Sequence, residues 1–203
     1  NTNFRSNSED KSVVVPQFTL DTGLTFEREG KYLQTLSPRA FYAYAPHQNQ
    51  DDYPNFDSTA ASLNYDQLFN PKRFYGHDRL EDNNFLSLGL SYSLFGTTGL
   101  EKLRTSIGQS FYFDDRKVTL NNSQNDPFNT ERQTGPVISI ASQLSQNFSV
   151  NANSMWMSNG DNAQRDFQVY YTGNKGNLYN LGYFNRSNLL DRQEKYDQVT
   201  ASF

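Results

Sequence analysis

The chain has 203 residues with 16 Phe and 13 Tyr, yet only 35% of it is hydrophobic and its net charge is −4. That length is enough for a packed core, and so many aromatics at so small a charge argue against a disordered chain. The mild acidity leaves no basic stripe for nucleic acid, and the absence of Cys excludes a disulfide framework and a thiolate metal site.

Residues 1–11 are polar and lack the basic and apolar regions of a signal peptide. No run anywhere approaches the ~20 apolar residues of a spanning helix. The first periodic segment places Phe18, Leu20, Leu24 and Phe26 at its apolar positions, followed by a tight connection at 28–31 and a long polar one at about 46–82. Leu86, Leu88, Leu90, Tyr92 and Leu94 then alternate with Ser87, Gly89, Ser91 and Ser93, which is a strand with two unlike faces. A helix would scatter those leucines around its circumference. After a tight connection at 96–99, the same rhythm returns at Leu103, Thr105, Ile107, Gln109, Phe111 and Phe113, then a long connection runs over 114–135. A tight turn at 145–147 precedes Phe148, Val150, Ala152, Ser154 and Trp156, and a third long connection is expected at 159–165. Phe167, Val169 and Tyr171, a tight turn at 173–176, and Tyr179, Leu181 and Tyr183 follow, then a long connection at 185–195 and a last strand with Val199, Ala201 and Phe203.

The pattern predicts about nine strands, most near the ~9 to 11 residues that cross a bilayer when tilted. If consecutive strands pair antiparallel, every tight connection falls at one end of the sheet and every long one at the other. An outer-membrane barrel has that asymmetry, with short periplasmic turns and long extracellular loops, and a soluble sandwich has no reason for it. Aromatics gather near strand ends, at Phe111, Tyr112, Phe113 and Trp156, where the interfacial girdles of a barrel lie; for any one ring, ordinary β-core packing is the other reading. The expected fold class is therefore all-β, an antiparallel transmembrane β-barrel. It is expected to be partial, because open sheet edges are not tolerated in hydrocarbon and an odd set of strands does not close.

The segments VPQFTLDTGLTF (15–26), QTLSPRAFYAYAP (34–46), FDS (56–58), LFNPKRFYGHDRLEDNN (68–84) and IGQSFYF (107–113) occur in an order and spacing that resemble the barrel domain of the LptD family of lipopolysaccharide-assembly proteins. After Asp114 the likeness is one of strand and loop rhythm. The resemblance implies a large barrel of the bacterial outer membrane that takes lipopolysaccharide from periplasmic bridge proteins and delivers it to the outer leaflet. It implies a translocon and not an enzyme, without cofactor, whose partners are lipopolysaccharide, outer-membrane lipids and an LptE-like plug lipoprotein. This chain would supply middle strands only, as one segment over 1–203 with a long extracellular loop at about 46–82. The periplasmic N-terminal domain and the lateral exit would lie outside it.

Within these motifs Arg39, Arg73, Asp78 and Arg79 are the candidate site residues. Paired charges would organise the long loop, as a lumenal Arg-Asp network that pins it inside a wide barrel, and this structural role is the favoured reading; residues that touch lipopolysaccharide phosphates would look the same in sequence. Arg79 in particular is expected to bond a carboxylate or carbonyl inside the folded loop. Leu86, Leu88, Leu90 and Leu94 are expected to face lipid, since their alternate neighbours are small and polar, as a lumen prefers. His47 and His77 lie among polar loop residues at no spacing that matches a zinc or calcium template, so no metal is expected. No local pattern marks a nucleophilic serine with a base. The competing functions are another outer-membrane porin or transporter, and a soluble aromatic-rich carbohydrate-binding β-sandwich.

Overall fold

The computed structural model describes residues 13–61, 63–120, 127–158, 162–173, 175–187 and 195–203. Residues 1–11, and the middles of the connections expected at 114–135, 159–165 and 185–195, lie outside the described residues. In chain order the elements are β1 (Phe18–Gly23), β2 (Phe26–Arg28), β3 (Leu33–Ala45), β4 (Thr59–Ala60), a 3-10 turn (Asp66–Phe69), β5 (Phe74–Tyr75), β6 (Asn83–Phe95), β7 (Glu101–Tyr112), the short α1 (Pro127–Thr130), β8 (Val137–Gln143), β9 (Phe148–Trp156), β10 (Asn162–Thr172), β11 (Leu178–Ser187) and β12 (Lys195–Ser202).

One antiparallel sheet of ten strands runs β1-β3-β6-β7-β8-β9-β10-β11-β12, with β2 also on β3. β1 pairs with Arg39 to Tyr44 of β3, and β2 with Gln34 to Leu36. The two are thus halves of one strand, broken opposite Ser37 and Pro38. Proline has no N–H to give to a ladder, so pairing weakens there, and only Leu24 N still reaches Pro38 O, at 3.1 Å. The sheet is open, as expected of part of a barrel. β4 and β5 make a separate two-stranded ribbon inside the long connection 46–82.

The register fixes two faces. On one lie Tyr42, Leu86 and Phe111 in a row, then Ala40, Leu88 and Gln109, then Pro38, Leu90 and Ile107, then Leu36, Tyr92 and Thr105. Farther along the sheet Ile140, Ala152, Phe167, Tyr183 and Val199 continue it. The opposite face carries Thr35, Ser37, Arg39, Ser87, Gly89, Ser91, Ser106, Gly108, Ser139, Asn153 and Asp166. The leucines of β6 thus stand on the apolar face, with Leu88 46% and Leu90 40% exposed, while Ser87 across the strand is fully buried.

Two expectations need correction. β10 begins at Asn162, where polar residues were expected to form a loop, so the connection before it is 157–161. That is no longer than the turn at 173–177, and the length asymmetry is lost at that one place. The ladder is made by backbone groups, so Asn162 and Gln164 still pair, with Trp156 and Met155 across a bulge. Similarly β11 runs on to Ser187. Tyr112 does not join an outward girdle with Phe111 and Phe113. It points to the polar face, its ring 5.7 Å from that of Phe85 and 3.7 Å from the Arg116 guanidinium, because strand residues alternate sides.

Candidate functional site: a loop seated on the polar face

On the polar face of β6 and β7, Ser87 stands opposite Ser110, Gly89 opposite Gly108 and Ser91 opposite Ser106. Nothing larger than a hydroxymethyl rises from these positions, so the two strands form a shallow trough. The long loop drops its 3-10 turn, with Leu68 and Phe69, into it. Leu68 and Phe69 are 1% and 7% exposed. A methyl group on Gly89 would stand 2.5 Å from Phe69 Cζ, and one on Gly108 would stand 2.8 Å from Leu68 Cδ1. Ser87 Oγ donates to Leu68 O at 2.5 Å, and Ser91 Oγ to Tyr65 Oη at 3.0 Å. Phe41, Ala43, Phe85, Val137, Met155 and Ala163 complete the buried cluster. The core of the described residues therefore lies between the sheet and its own loop, which explains how so polar a face is covered.

Arg39 belongs to the wall. Its guanidinium makes two bonds to Asp21 of β1, at 2.9 and 2.5 Å, and lies 4.4 Å from the centre of the Phe69 ring. An exposed cation–π contact of this kind contributes about 0.5–1 kcal/mol, so Arg39 steadies the loop tip from the side.

Asp78 and Arg79 organise the far arm of the loop. Asp78 Oδ2 accepts from Phe56 N at 2.6 Å and Asp57 N at 2.8 Å, while Asp78 N donates to Ser58 Oγ. Arg79 is 5% exposed and donates to Tyr53 O at 2.9 Å, Asp78 O at 3.0 Å and Pro54 O at 3.4 Å. Its expected bond inside the folded loop is thus made to carbonyls. Gly76, at φ 103°, lets the chain pass Asp57, where any Cβ would lie 2.7 Å from Asp57 O. Gln50 closes the arm with both ends of its amide on the backbone of Leu80, at 2.8 and 2.9 Å.

Arg73 sits elsewhere, at the root of the loop. It pairs with Asp82 at 2.6 Å and also reaches Val118 O at 3.3 Å. Burial pushes its guanidinium below the ordinary arginine value, and the Asp82 carboxylate opposes that; arginine stays charged under any such pressure. Asp82 accepts in addition from Lys117 N at 2.6 Å and Val118 N at 3.2 Å. One carboxylate thus ties the first long loop to the second, at 113–136. The four candidates do not converge on one centre: Asp78 and Arg79 share an arm, Arg73 joins two loops, and Arg39 supports the tip. Asp82, Leu68 and Phe69 were not singled out from sequence. The available signal was an adjacent apolar pair in a mostly polar loop, matched by glycines at the mid-points of two strands.

A cavity of about 580 Å³ lies under the tip, lined by Tyr65, Asp66, Ser91, Ser106, Arg104 and Asn153 among others. It is a hydroxyl- and amide-rich space on the polar face.

An antiparallel meander with one apolar face, one polar face and a loop folded onto the polar side is the wall of a β-barrel. The comparisons sharpen this. The family model described as LptD, LPS transport system D, matches residues 1–203, and the chain belongs to that family. The LPS-assembly protein LptD of Acinetobacter baumannii is 76% identical over 196 residues, 97% of this chain and 24% of that protein. That of Acinetobacter baylyi is 68% identical over the whole chain, 25% of its own length, and that of Psychrobacter cryohalolentis 34% identical over 97% of the chain and 21% of its own length. The chain thus spans about a quarter of the length of these relatives.

Proposed function

We propose that this chain is a stretch of the wall of an outer-membrane barrel that delivers lipopolysaccharide to the outer leaflet, a transport function without a catalytic step. The observation that carries the reading is the division of the sheet: exposed Leu, Ile, Val and aromatic side chains on one side, serine, glycine, amides and a seated loop on the other. Hydrocarbon suits the first and a hydrated lumen the second. The relatives are named for lipopolysaccharide assembly, which supports that cargo. In this orientation Leu86, Leu88, Leu90 and Leu94 face lipid, the tight turns are periplasmic, and the loop at 46–82 enters the lumen from the extracellular end. Further strands of the longer protein close the barrel. An LptE-like plug lipoprotein occupies the lumen, and periplasmic bridge proteins hand over the cargo. Arg39, Arg73, Asp78 and Arg79 hold the loop and do not contact lipopolysaccharide phosphates, because each is already engaged with a carboxylate, backbone N–H groups or carbonyls.

The test is a chimera in which this chain replaces the corresponding quarter of the Acinetobacter baumannii relative. We expect surface lipopolysaccharide to reach the wild-type level in cells that depend on the chimera. A chimera that inserts as a folded barrel yet leaves lipopolysaccharide in the periplasm contradicts the reading.

A further inference from the structure

The apolar span of the outward face changes along the sheet. On β6 it runs from Leu94, beside the tight turn at 96–99, up to Leu86. It ends at Asn84, whose Oδ1 accepts from Tyr42 Oη at 3.0 Å and whose amide donates to Asp114. Leu94 to Asn84 is a step of ten residues, about 33 Å along the strand and, at a tilt of about 40°, about 25 Å across the membrane. That is the full height of the apolar band on an outer-membrane barrel.

On β9 to β12 the span is shorter. Its first row, beside the tight turns, is Phe148, Tyr171 and Tyr179, with the two tyrosine rings 6.0 Å apart. Val150, Val169, Leu181 and Ala201 make the second row, and Ala152, Phe167, Tyr183 and Val199 the third. The fourth row is polar: Ser154, Arg165, Asn185 and Asp197 stand side by side across the four strands. Arg165 and Asp197 are exposed, and Asp197 accepts from Tyr183 Oη and from the Asn185 amide, each at 2.8 Å. Trp156 follows Ser154 on the same face of β9. Tyr179 to Asn185 is a step of only six residues, about 20 Å along the strand and about 15 Å across the membrane at the same tilt.

A charged side chain on the lipid side is costly at the middle of the bilayer and tolerated at its edge. Tyr and Trp side chains gather at that edge. A wall whose apolar span is too short for the surrounding bilayer draws the bilayer thinner around it. We propose that the outward face of β9 to β12 holds the bilayer locally thin, by roughly 10 Å relative to the sector at β3, β6 and β7. The row of Ser154, Arg165, Asn185 and Asp197 marks the outer edge of the hydrocarbon there, and Tyr171 and Tyr179 mark the inner edge. The two headgroup layers come closest along this sector of the wall. The inference rests on the membrane orientation given above and adds that the apolar belt is uneven around the barrel.

Single spin labels in the intact barrel protein, in nanodiscs of dioleoyl phosphatidylcholine, read the hydrocarbon edge on both sectors. Residues 88 and 185 stand equally far from the tight-turn ends of their strands, seven residues on. We expect a water-soluble nickel chelate to relax the labels at 177 and 185, on either side of the short span, and oxygen to relax those at 181 and 88. The ratio of nickel to oxygen access at 185 should match that at 84. With Arg165→Leu, Asn185→Leu and Asp197→Leu made together, a label at 154 should pass from nickel access to oxygen access as the bilayer regains its thickness. A label at 185 that oxygen relaxes and nickel does not, like that at 88, overturns the proposal, because the polar row then lies in hydrocarbon of full thickness. Shielding of 185 from both reagents also overturns it, because a protein surface then covers the row. Nickel access at 154 that survives the triple replacement shows that the row does not set the edge, and overturns it as well. Nickel access at 88 is a separate failure, that of the membrane orientation itself, and takes this inference with it.

Discussion

Asp82 carries more of the loop architecture than any of the residues that the motifs bring forward. It is nearly fully buried at 6% exposure, and it satisfies the Arg73 guanidinium together with two N–H groups of the second loop. Removing one partner of a buried pair leaves an uncompensated charge, at about 3–5 kcal/mol. We expect Asp82→Ala to cost that much and to expose both long loops to hydrogen exchange, with Asp82→Asn intermediate. Loss of protection confined to the first loop would show that Asp82 does not join the two. Sequence carried part of this. Arg79 stands in a recognisable motif, and a long cation in a polar loop finds carbonyls close by, so its inward bond was readable. The partner of Arg73 was not readable, because Glu81, Asp82 and Asp78 are all near it in sequence and only the fold selects among them.

At the scale of the element, strand identity came through the period of two, and the leucine row of β6 is the clearest case. What sequence could not convey was where a strand ends without an apolar signal, as at Asn162, or that Tyr112 turns away from its two aromatic neighbours. The seat of the loop was equally hidden, since it depends on the pairing of Gly89 with Gly108 across β6 and β7. That pairing yields a direct expectation. Gly89→Val would place methyl groups where the Phe69 and Tyr65 rings now lie, an overpacking of about 1–3 kcal/mol. The turn Asp66–Phe69 should lose exchange protection while β6 and β7 keep theirs. Unchanged protection of that turn would mean that the trough does not hold the loop.

For the whole molecule, the sorting of connections predicted an open antiparallel sheet with loops at one end, and three of the four long connections keep that sorting. A loop pinned inside the barrel by its own charges was readable, but its seat on the wall was not, because paired charges do not tell where the apolar residues of the loop at 46–82 meet the polar face. The central claim is the sidedness of the wall, and spin labels placed one at a time at residues 88, 90 and 107, and at 37, 139 and 153, in the intact barrel protein in lipid nanodiscs test it most directly. The first three should be relaxed by oxygen, which concentrates in hydrocarbon, and the second three by a water-soluble nickel chelate. Nickel access at 88, 90 and 107 equal to that at 37, 139 and 153 would contradict the account.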